Sequence, residues 1–437
     1  MTAIAQRRTR RTVVGAAIAT LLVLAASAMF VVGVVTLSNS QEGEAVGVDT
    51  RPRVELPSTP NALLALTDED GELASVVVMT LLPEGQGGSV VTVPVNADAT
   101  AGFGLQRRPL NEAFDATDVE SFVVSVEDML SISLQRAEFV DVAGLEAMLP
   151  SIDSLQLVLP NEVVDTRGGG GSISPSGPQT FTAGELTTIL AAIDDDAEVD
   201  VSHANDVAVW EALARTAPVD VPPEPVALDE FGRPIAPDTV GELVERMWQG
   251  EVTVRDLLLR PIDDIENPTA VDVVLIDRRD STLVFAQVSP GLVSTPNTGL
   301  KARIVANFTD EELEAADGLY ESSAELTIEL IGRLLFLSGN IVSVETAGTG
   351  VPPITIIEVV DESQLEETIA AAETLLGGAE VSVATTVLEG VDVQITLGMS
   401  YLEHELARAG PAGPSDVEVS DSVAPSTEVP GTVAGDG

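Results

Sequence analysis

Residues 74–82, ASVVVMTLL, are followed by the turn sequence PEGQGG at 83–88 and by SVVTVP at 89–94. Both flanking runs are rich in β-branched residues, which favour strands, and the Gly-rich turn between them predicts a β-hairpin. Further along, TDVE at 117–120 and TAGE at 182–185 match the capping box that begins a helix. Because strands and helices are mixed in this region, the sequence predicts an α/β domain.

The sequence predicts two folded domains, an α/β domain over 61–290 and a small α+β domain over 300–403. Residues 218–237 form a Pro-rich connection inside the first domain, and 404–437 a disordered tail. In the first domain we expect helices at 239–247 and 253–259 and a hairpin that pairs 271–276 with 282–286. In the second we expect strands at 301–306, 341–345, 354–360, 379–384 and 391–397, and helices at 315–337 and 363–376, the latter with a capping box at Ser363.

Residues 13–37 carry no charge and are long enough to span a bilayer as one helix. Four arginines precede this run, and arginines stay on the cytoplasmic side of a membrane. The sequence therefore predicts a single-pass protein of the cell membrane, with a basic cytoplasmic tail at 1–12, a tether at 38–60 and an extracytoplasmic remainder. A cleaved signal peptide is the alternative, but the apolar run continues past the small residues at 25–28.

The chain is acidic, with a formal charge of −49 from 70 acidic and 21 basic residues. Such a surface repels phosphate backbones, so no nucleic-acid partner is expected. The acidity suits an outward-facing domain or a saline habitat, and composition leaves both open. The absence of cysteine excludes disulfides, thiolate metal sites and cysteine nucleophiles, and His203 and His404 are the only imidazoles.

Several short segments, taken in order, resemble the LytR-CpsA-Psr (LCP) family of envelope proteins. They are TVP at 92–94, LNEAF at 110–114, VEDML at 126–130, FVDVAGL at 139–145, the Gly-Glu pair at 184–185, and the segments 301–307 and 391–398, which resemble the edges of the LytR C-terminal domain. The resemblance implies an α/β LCP-like domain plus a small α+β LytR C-terminal-type domain behind one transmembrane helix. It also implies transfer of a polyprenyl-pyrophosphate-linked glycopolymer onto peptidoglycan, with magnesium as the cofactor.

This sequence departs from the family where cations and carboxylates are needed to stabilise the diphosphate. The substituted positions are Ala74 for an aspartate, Val95 and Asn96 for Arg-Asp, Ala192 and Asp194 for two arginines, and Ala204, Asn205 and Asp206 for Arg-Gln-Gln. An aspartate in place of a phosphate-binding arginine repels that ligand. We therefore expect a degenerate site, a pseudoenzyme with no catalytic residues, no metal and no cofactor; magnesium is expected only if the protein is active.

A few residues remain as candidates for binding. Arg107 and Arg108 precede the Leu-Asn motif and are candidates to face a phosphate, although the favoured interpretation is that of exposed loop arginines on an acidic protein. Asn111, inside the motif, is a further candidate for ligand binding. His203 is a candidate base or a helix-entry residue. The acidic run 194–200 and the glycines at 168–171 lack the spacing of a calcium loop and of a phosphate loop.

The sequence thus predicts a non-catalytic protein of cell-envelope assembly. Its candidate partners, besides the membrane that holds its own anchor, are a polyprenyl-linked glycopolymer and peptidoglycan. Two alternatives stay open, an active glycopolymer-to-peptidoglycan phosphotransferase and an unrelated extracellular interaction module.

Overall fold

The computed structural model describes residues 49–100, 106–150, 152–167, 170–195, 197, 199–219, 226–263, 265–293, 299–314 and 319–409. The predicted cytoplasmic tail, the transmembrane segment, most of the tether and residues 410–437 lie outside these ranges. Contacts divide the chain into two units between Arg53 and Val54. In the first, the Arg51 guanidinium lies 2.9 Å from the Asp49 carboxylate. Among the described residues, no helix is both long enough and apolar enough to cross a membrane.

The described chain alternates strands and helices along its length. The strands are β1 (Arg53–Val54), β2 (Asn61–Thr67), β3 (Leu73–Leu81), β4 (Gly88–Val93), β5 (Ala137–Val140), β6 (Leu155–Leu159), β7 (Val163–Asp165), β8 (Gly171–Ser174), β9 (Gly177–Phe181), β10 (Val252–Arg255), β11 (Leu259–Pro261), β12 (Val274–Ile276), β13 (Lys301–Val305), β14 (Asn340–Glu345), β15 (Ile356–Val359), β16 (Glu380–Val383), β17 (Val387–Leu388) and β18 (Val393–Thr396). The helices are α1 (Leu110–Ala113), α2 (Val119–Leu130), α3 (Val142–Met148), α4 (Ala183–Leu190), α5 (Val199–Ala214), α6 (Val240–Met247), α7 (Arg278–Val288), α8 (Asp310–Glu314), α9 (Ser323–Phe336), α10 (Leu365–Leu376) and α11 (Met399–Ala409).

The first sheet has five strands in the order β10-β4-β3-β2-β5. Strands β3 and β4 pair antiparallel, with Val78 opposite Val91, which confirms the predicted hairpin. The outer strands β10 and β5 run parallel to their neighbours. Both faces of β3 and β4 are buried. This explains why their sequences are continuous apolar runs rather than alternating ones.

Each face of the first sheet has its own set of helices. On one face, Val77 and Met79 belong to a core with Trp210 of α5 and Met247 of α6. On the other face, Val76 and Val78 belong to a core that includes α2 and α7 and continues into the second sheet. The second sheet has the order β14-β13-β18-β15-β16, and α7 packs against both β14 and α9. The two predicted domains therefore share one hydrophobic core.

Two predictions for the region after α6 are wrong. Residues 253–259 begin with a strand, β10, rather than a helix, because the β-branched residues Val252, Thr253 and Val254 pair parallel with β4. The predicted hairpin of 271–276 with 282–286 does not form. Instead β12 pairs with β11, and 282–286 belong to α7, where the Asp277 carboxylate accepts a hydrogen bond from the Arg279 backbone N–H as the N-cap.

Helix ends follow the sequence signals only in part. The capping box of Thr182 and Glu185 is confirmed at α4. The capping box predicted at Thr117 is wrong, because Asp118 is the N-cap of α2. The one predicted at Ser363 is also wrong, because the Asp361 side chain accepts a hydrogen bond from the Ser363 backbone N–H in a short 3-10 turn. The predicted tail boundary at 403 is also wrong. Residues 404–409 are part of α11, which is held by a buried face that includes Tyr401 and Leu402.

Candidate functional site

A pocket of about 490 Å³ opens where the chain leaving β10 passes the first turns of α5 and α7. Its lining residues are His203 and Ala204 from α5, Asp256, Leu257, Leu258 and Leu259 from the β10–β11 connection, and Asp280 from α7. Three separate elements of the chain thus supply its ionisable groups. The pocket depends on the tertiary fold rather than on a local motif.

A histidine–aspartate pair forms one wall of this pocket. His203 Nε2 lies 2.8 Å from Asp256 Oδ1. The imidazole is only 7 % exposed, whereas about half of the Asp256 side chain is open to solvent. The aspartate therefore fixes the orientation of a buried ring while it remains accessible from the pocket.

Asp280 of α7 also lines the pocket, and its Oδ2 accepts a hydrogen bond from the Leu258 backbone N–H over 2.7 Å. Burial raises the pKa of Asp280, and the charges of Asp277 and Asp256 raise it further against the lowering effect of that hydrogen bond. A second carboxylate thus faces the same small volume as Asp256. Any negative charge that entered the pocket would meet both.

A third aspartate lies one turn further along α5. Burial raises the pKa of Asp206 to about 7, although the nearby His203 and a hydrogen bond with Ser75 of β3 both lower it. At neutral pH this side chain is therefore divided between its neutral and charged forms. Ala74, the substituted strand position, precedes Ser75, and its side chain points to the opposite face of β3.

The lining residues of the pocket include no arginine or lysine. Within the described ranges, no group of three or more histidine, aspartate or glutamate side chains is arranged to hold a metal ion. The two lining carboxylates are already engaged, one by the His203 ring and the other by the Leu258 N–H. Among the described residues, the pocket therefore has no ready-made set of three or more such ligands for the magnesium ion that the family resemblance implies.

The positions expected to be degenerate are spread over several elements. Only Ala204 lines the pocket. Asn205 is buried on α5 and its Oδ1 accepts from the Asn161 backbone N–H, and Ala74 is buried in β3. The carbonyl groups of Val95 and Asn96 accept backbone hydrogen bonds from Asn111 and Val274.

Ala192 and Asp194 lie in the segment that follows α4 and are absent from the lining of this pocket. The two lining aspartates, Asp256 and Asp280, were not identified from the sequence. Each is a single acidic residue in an acidic chain, and neither belongs to a motif.

The predicted phosphate-binding residues stabilise a loop instead. Arg107 Nη1 lies 2.7 Å from Asp98 Oδ2, and its Nε donates to the Glu266 carbonyl. Arg108 donates from Nε and Nη2 to the carbonyl of Glu112, whose N–H donates to Asn111 Oδ1. Arg107 and Asp98 are largely buried, so this guanidinium is engaged within the protein, and none of the three candidates lines the pocket.

No family model and no curated protein matches the chain. Among solved structures, TagV of B. subtilis is 14% identical, with 55% of this chain and 100% of that chain covered and a TM-score of 0.37. TagT of B. subtilis is 13% identical, with coverage of 52% and 88% and a TM-score of 0.36. A LytR-Csp2A-Psr enzyme from Actinomyces oris is 14% identical, with coverage of 54% and 94% and a TM-score of 0.35.

Proposed function

We propose that this chain is a membrane-anchored, extracytoplasmic protein of the LCP type that acts in cell-envelope assembly by binding or scaffolding and does not transfer glycopolymer. One observation carries the proposal. The pocket that contains Ala204, a position where the family resemblance implies an arginine, is lined by two aspartates and a histidine, with no arginine or lysine. The ordered family-like segments support the envelope context.

The electrostatic argument concerns the leaving group of the transfer reaction. A polyprenyl diphosphate leaves with negative charge on its phosphate oxygens, and enzymes stabilise that charge with arginines or a metal ion. In this pocket the side chains of Asp256 and Asp280 carry the same sign as the diphosphate. The pocket therefore destabilises the transition state that a transferase would have to bind.

Turnover of a polyprenyl-diphosphate-linked glycopolymer by the purified full-length chain tests the proposal. Magnesium and peptidoglycan would be supplied, and released polyprenyl phosphates would be measured by mass spectrometry. We expect no release above that of a protein-free blank, from the wild type or from the variant Val95→Arg/Asn96→Asp. Release by the wild type that is abolished in His203→Ala would establish an active phosphotransferase and overturn the proposal.

The binding role needs a separate measurement. We expect the full-length chain to sediment with insoluble peptidoglycan that carries its glycopolymer, and protease treatment of intact cells to digest the part of the chain after the anchor. Protection of the chain in intact cells, with digestion only after lysis, would contradict the extracytoplasmic placement.

A further inference from the structure

We propose that a second groove, between α5 and the ribbon formed by β6 and β9, binds an uncharged oligosaccharide. This groove has a volume of about 720 Å³. Its lining residues are Gln156, Leu157, Val158, Pro178, Gln179, Thr180, Ala208, Glu211 and Arg215. None of them lines the histidine–aspartate pocket, so the groove is a separate surface.

The ribbon supplies one wall of the groove through its register. Strands β6 and β9 pair antiparallel, with Gln156 opposite Thr180 and Val158 opposite Pro178. Because side chains alternate across a strand, these four exposed residues lie on one face of the ribbon. On the opposite face, residues such as Leu157 are buried in the core and hold the ribbon in place.

Helix α5 supplies the other wall. Ala208 and Glu211 of α5 lie three residues apart on one side of the helix, and Arg215 directly follows its last residue, with its backbone N–H still donating to the Glu211 carbonyl. The same helix buries Trp210 and Val209 in the core, so its orientation against the ribbon is fixed by packing. The groove is therefore built from rigid elements rather than from loops.

The polar side chains of the groove are free to bind a ligand. In the part of the chain that the structure describes, the side chains of Gln156, Thr180, Glu211 and Arg215 form no hydrogen bond or ion pair with another residue. A carboxamide, a hydroxyl, a carboxylate and a guanidinium provide both donors and acceptors. Their planar amide, carboxylate and guanidinium ends can each contact two neighbouring hydroxyl groups of a sugar.

The apolar residues of the groove complete the match to a sugar ring. Val158 is 64 % exposed and lies directly opposite the exposed Pro178. This pair forms an uncovered apolar strip between polar side chains, and a pyranose ring presents C–H groups on its faces and hydroxyl groups at its edge. A few well-placed polar groups around an apolar surface are typical of small-molecule sites.

The charges and hydrogen bonds of the groove disfavour other ligand classes. Its single guanidinium, Arg215, directly follows α5 and lies four residues after Glu211, so the lining has no net positive charge for a phosphate. An added peptide strand would pair through a strand edge, whereas Gln156, Val158, Pro178 and Thr180 lie on a face of the ribbon. A neutral, hydroxyl-rich ligand is compatible with this balance of charges and with this exposed face.

Calorimetric titration of the full-length chain tests this proposal, with the uncharged saccharides chitotetraose, maltotetraose and cellotetraose as separate probes. An N-acetylated tetra-alanine amide serves as the peptide probe. We expect saturable binding of at least one saccharide and none of the peptide. Gln156→Ala and Arg215→Ala are each expected to weaken binding about tenfold, as for the loss of one good hydrogen bond.

Two further variants test whether the saccharide binds in the groove. Thr180→Trp fills the groove at an exposed position and is expected to abolish binding, whereas Gln135→Ala removes an exposed glutamine outside the groove and is expected to leave the affinity unchanged. Binding of the peptide alone, no binding of any saccharide, or equal weakening by Gln135→Ala would overturn the proposal. The inference uses the proposed function only for the envelope context. Because the titration contains no diphosphate or magnesium, its failure is distinguishable from a failure in the turnover assay.

Discussion

Replacing Arg333 by alanine should destabilise the protein strongly, because it removes the partner of a buried carboxylate. Arg333 of α9 donates from Nη1 to Glu405 Oε1 of α11 over 2.6 Å, with a second contact between Nη2 and Oε2. The two side chains are only 16 % and 4 % exposed. The hydrogen bonds with Glu405 also raise the pKa of Arg333.

The expected magnitude follows from this burial. Breaking a buried ion pair by removing one partner costs about 3–5 kcal/mol, whereas an exposed pair contributes at most about 1 kcal/mol. Arg408 does not substitute for Arg333, since its Nη1 lies 3.7 Å from Glu405 and its side chain is 58 % exposed. Arg303→Ala is the matched control, because the partner of Arg303, Glu345, is nearly half exposed.

Urea unfolding measures these differences. Far-UV circular dichroism would follow the whole chain, and the fluorescence of Trp210 and Trp248 would follow the core on the far face of the first sheet. The double variant Arg333→Met/Glu405→Leu should recover most of the lost free energy, because it leaves no unpaired buried charge. Equal losses in Arg333→Ala and Arg303→Ala, or a double variant no more stable than Arg333→Ala, would refute the reasoning.

Three more outcomes are expected, all measurable from urea midpoints. Gly398→Ala should lower the free energy of unfolding by about 1–3 kcal/mol, because a Cβ at this position would lie 2.5 to 2.7 Å from backbone atoms of residues 354 and 355. A Cβ at Gly171 would have no neighbouring atom within 4 Å. Gly171→Ala should therefore change the free energy of unfolding by less than about 0.5 kcal/mol. Arg107→Ala should cost about 3 kcal/mol by leaving the buried Asp98 carboxylate unpaired. The folded-state pKa of Asp206, about 7, lies above its ordinary value of 3.8, so the folded chain binds this proton more tightly than the unfolded chain. The stability that the proton contributes is therefore present at low pH and is lost as the pH rises from about 4 to about 7. Asp206→Asn should accordingly be more stable relative to the wild type at pH 8 than at pH 5.

The parts of the fold that could be predicted from the sequence are those fixed by local patterns. The hairpin of β3 and β4 follows from two β-branched runs around a Gly-rich turn, and α4 from a complete capping box. The apolar residues 283–286 fit a buried strand or a buried helix equally well. Only the cap at Asp277 and the packing of α7 between the two sheets make them helical.

For the candidate site, the sequence predicts only which family-like cationic residues are replaced. Substitutions such as Ala204 are visible in the sequence once the family-like segments are aligned, and His203 was already a candidate base. Asp256 and Asp280 could not be identified in this way. They meet only because the β10–β11 connection and the first turn of α7 come together in three dimensions.

The pocket contains two aspartates besides lacking the arginine that the family resemblance implies at Ala204, so the addition of one cation would not make the pocket positively charged. The variant Ala204→Arg would add a guanidinium to a cavity that already contains Asp256 and Asp280. Those carboxylates are fixed in place by the His203 ring and the Leu258 N–H, so the new cation would pair with them before it met a diphosphate. A net positive pocket would require removal of both aspartates as well. Since Asp256 orients a buried imidazole, that removal would disturb the same helix, α5, that packs Trp210 against the central sheet.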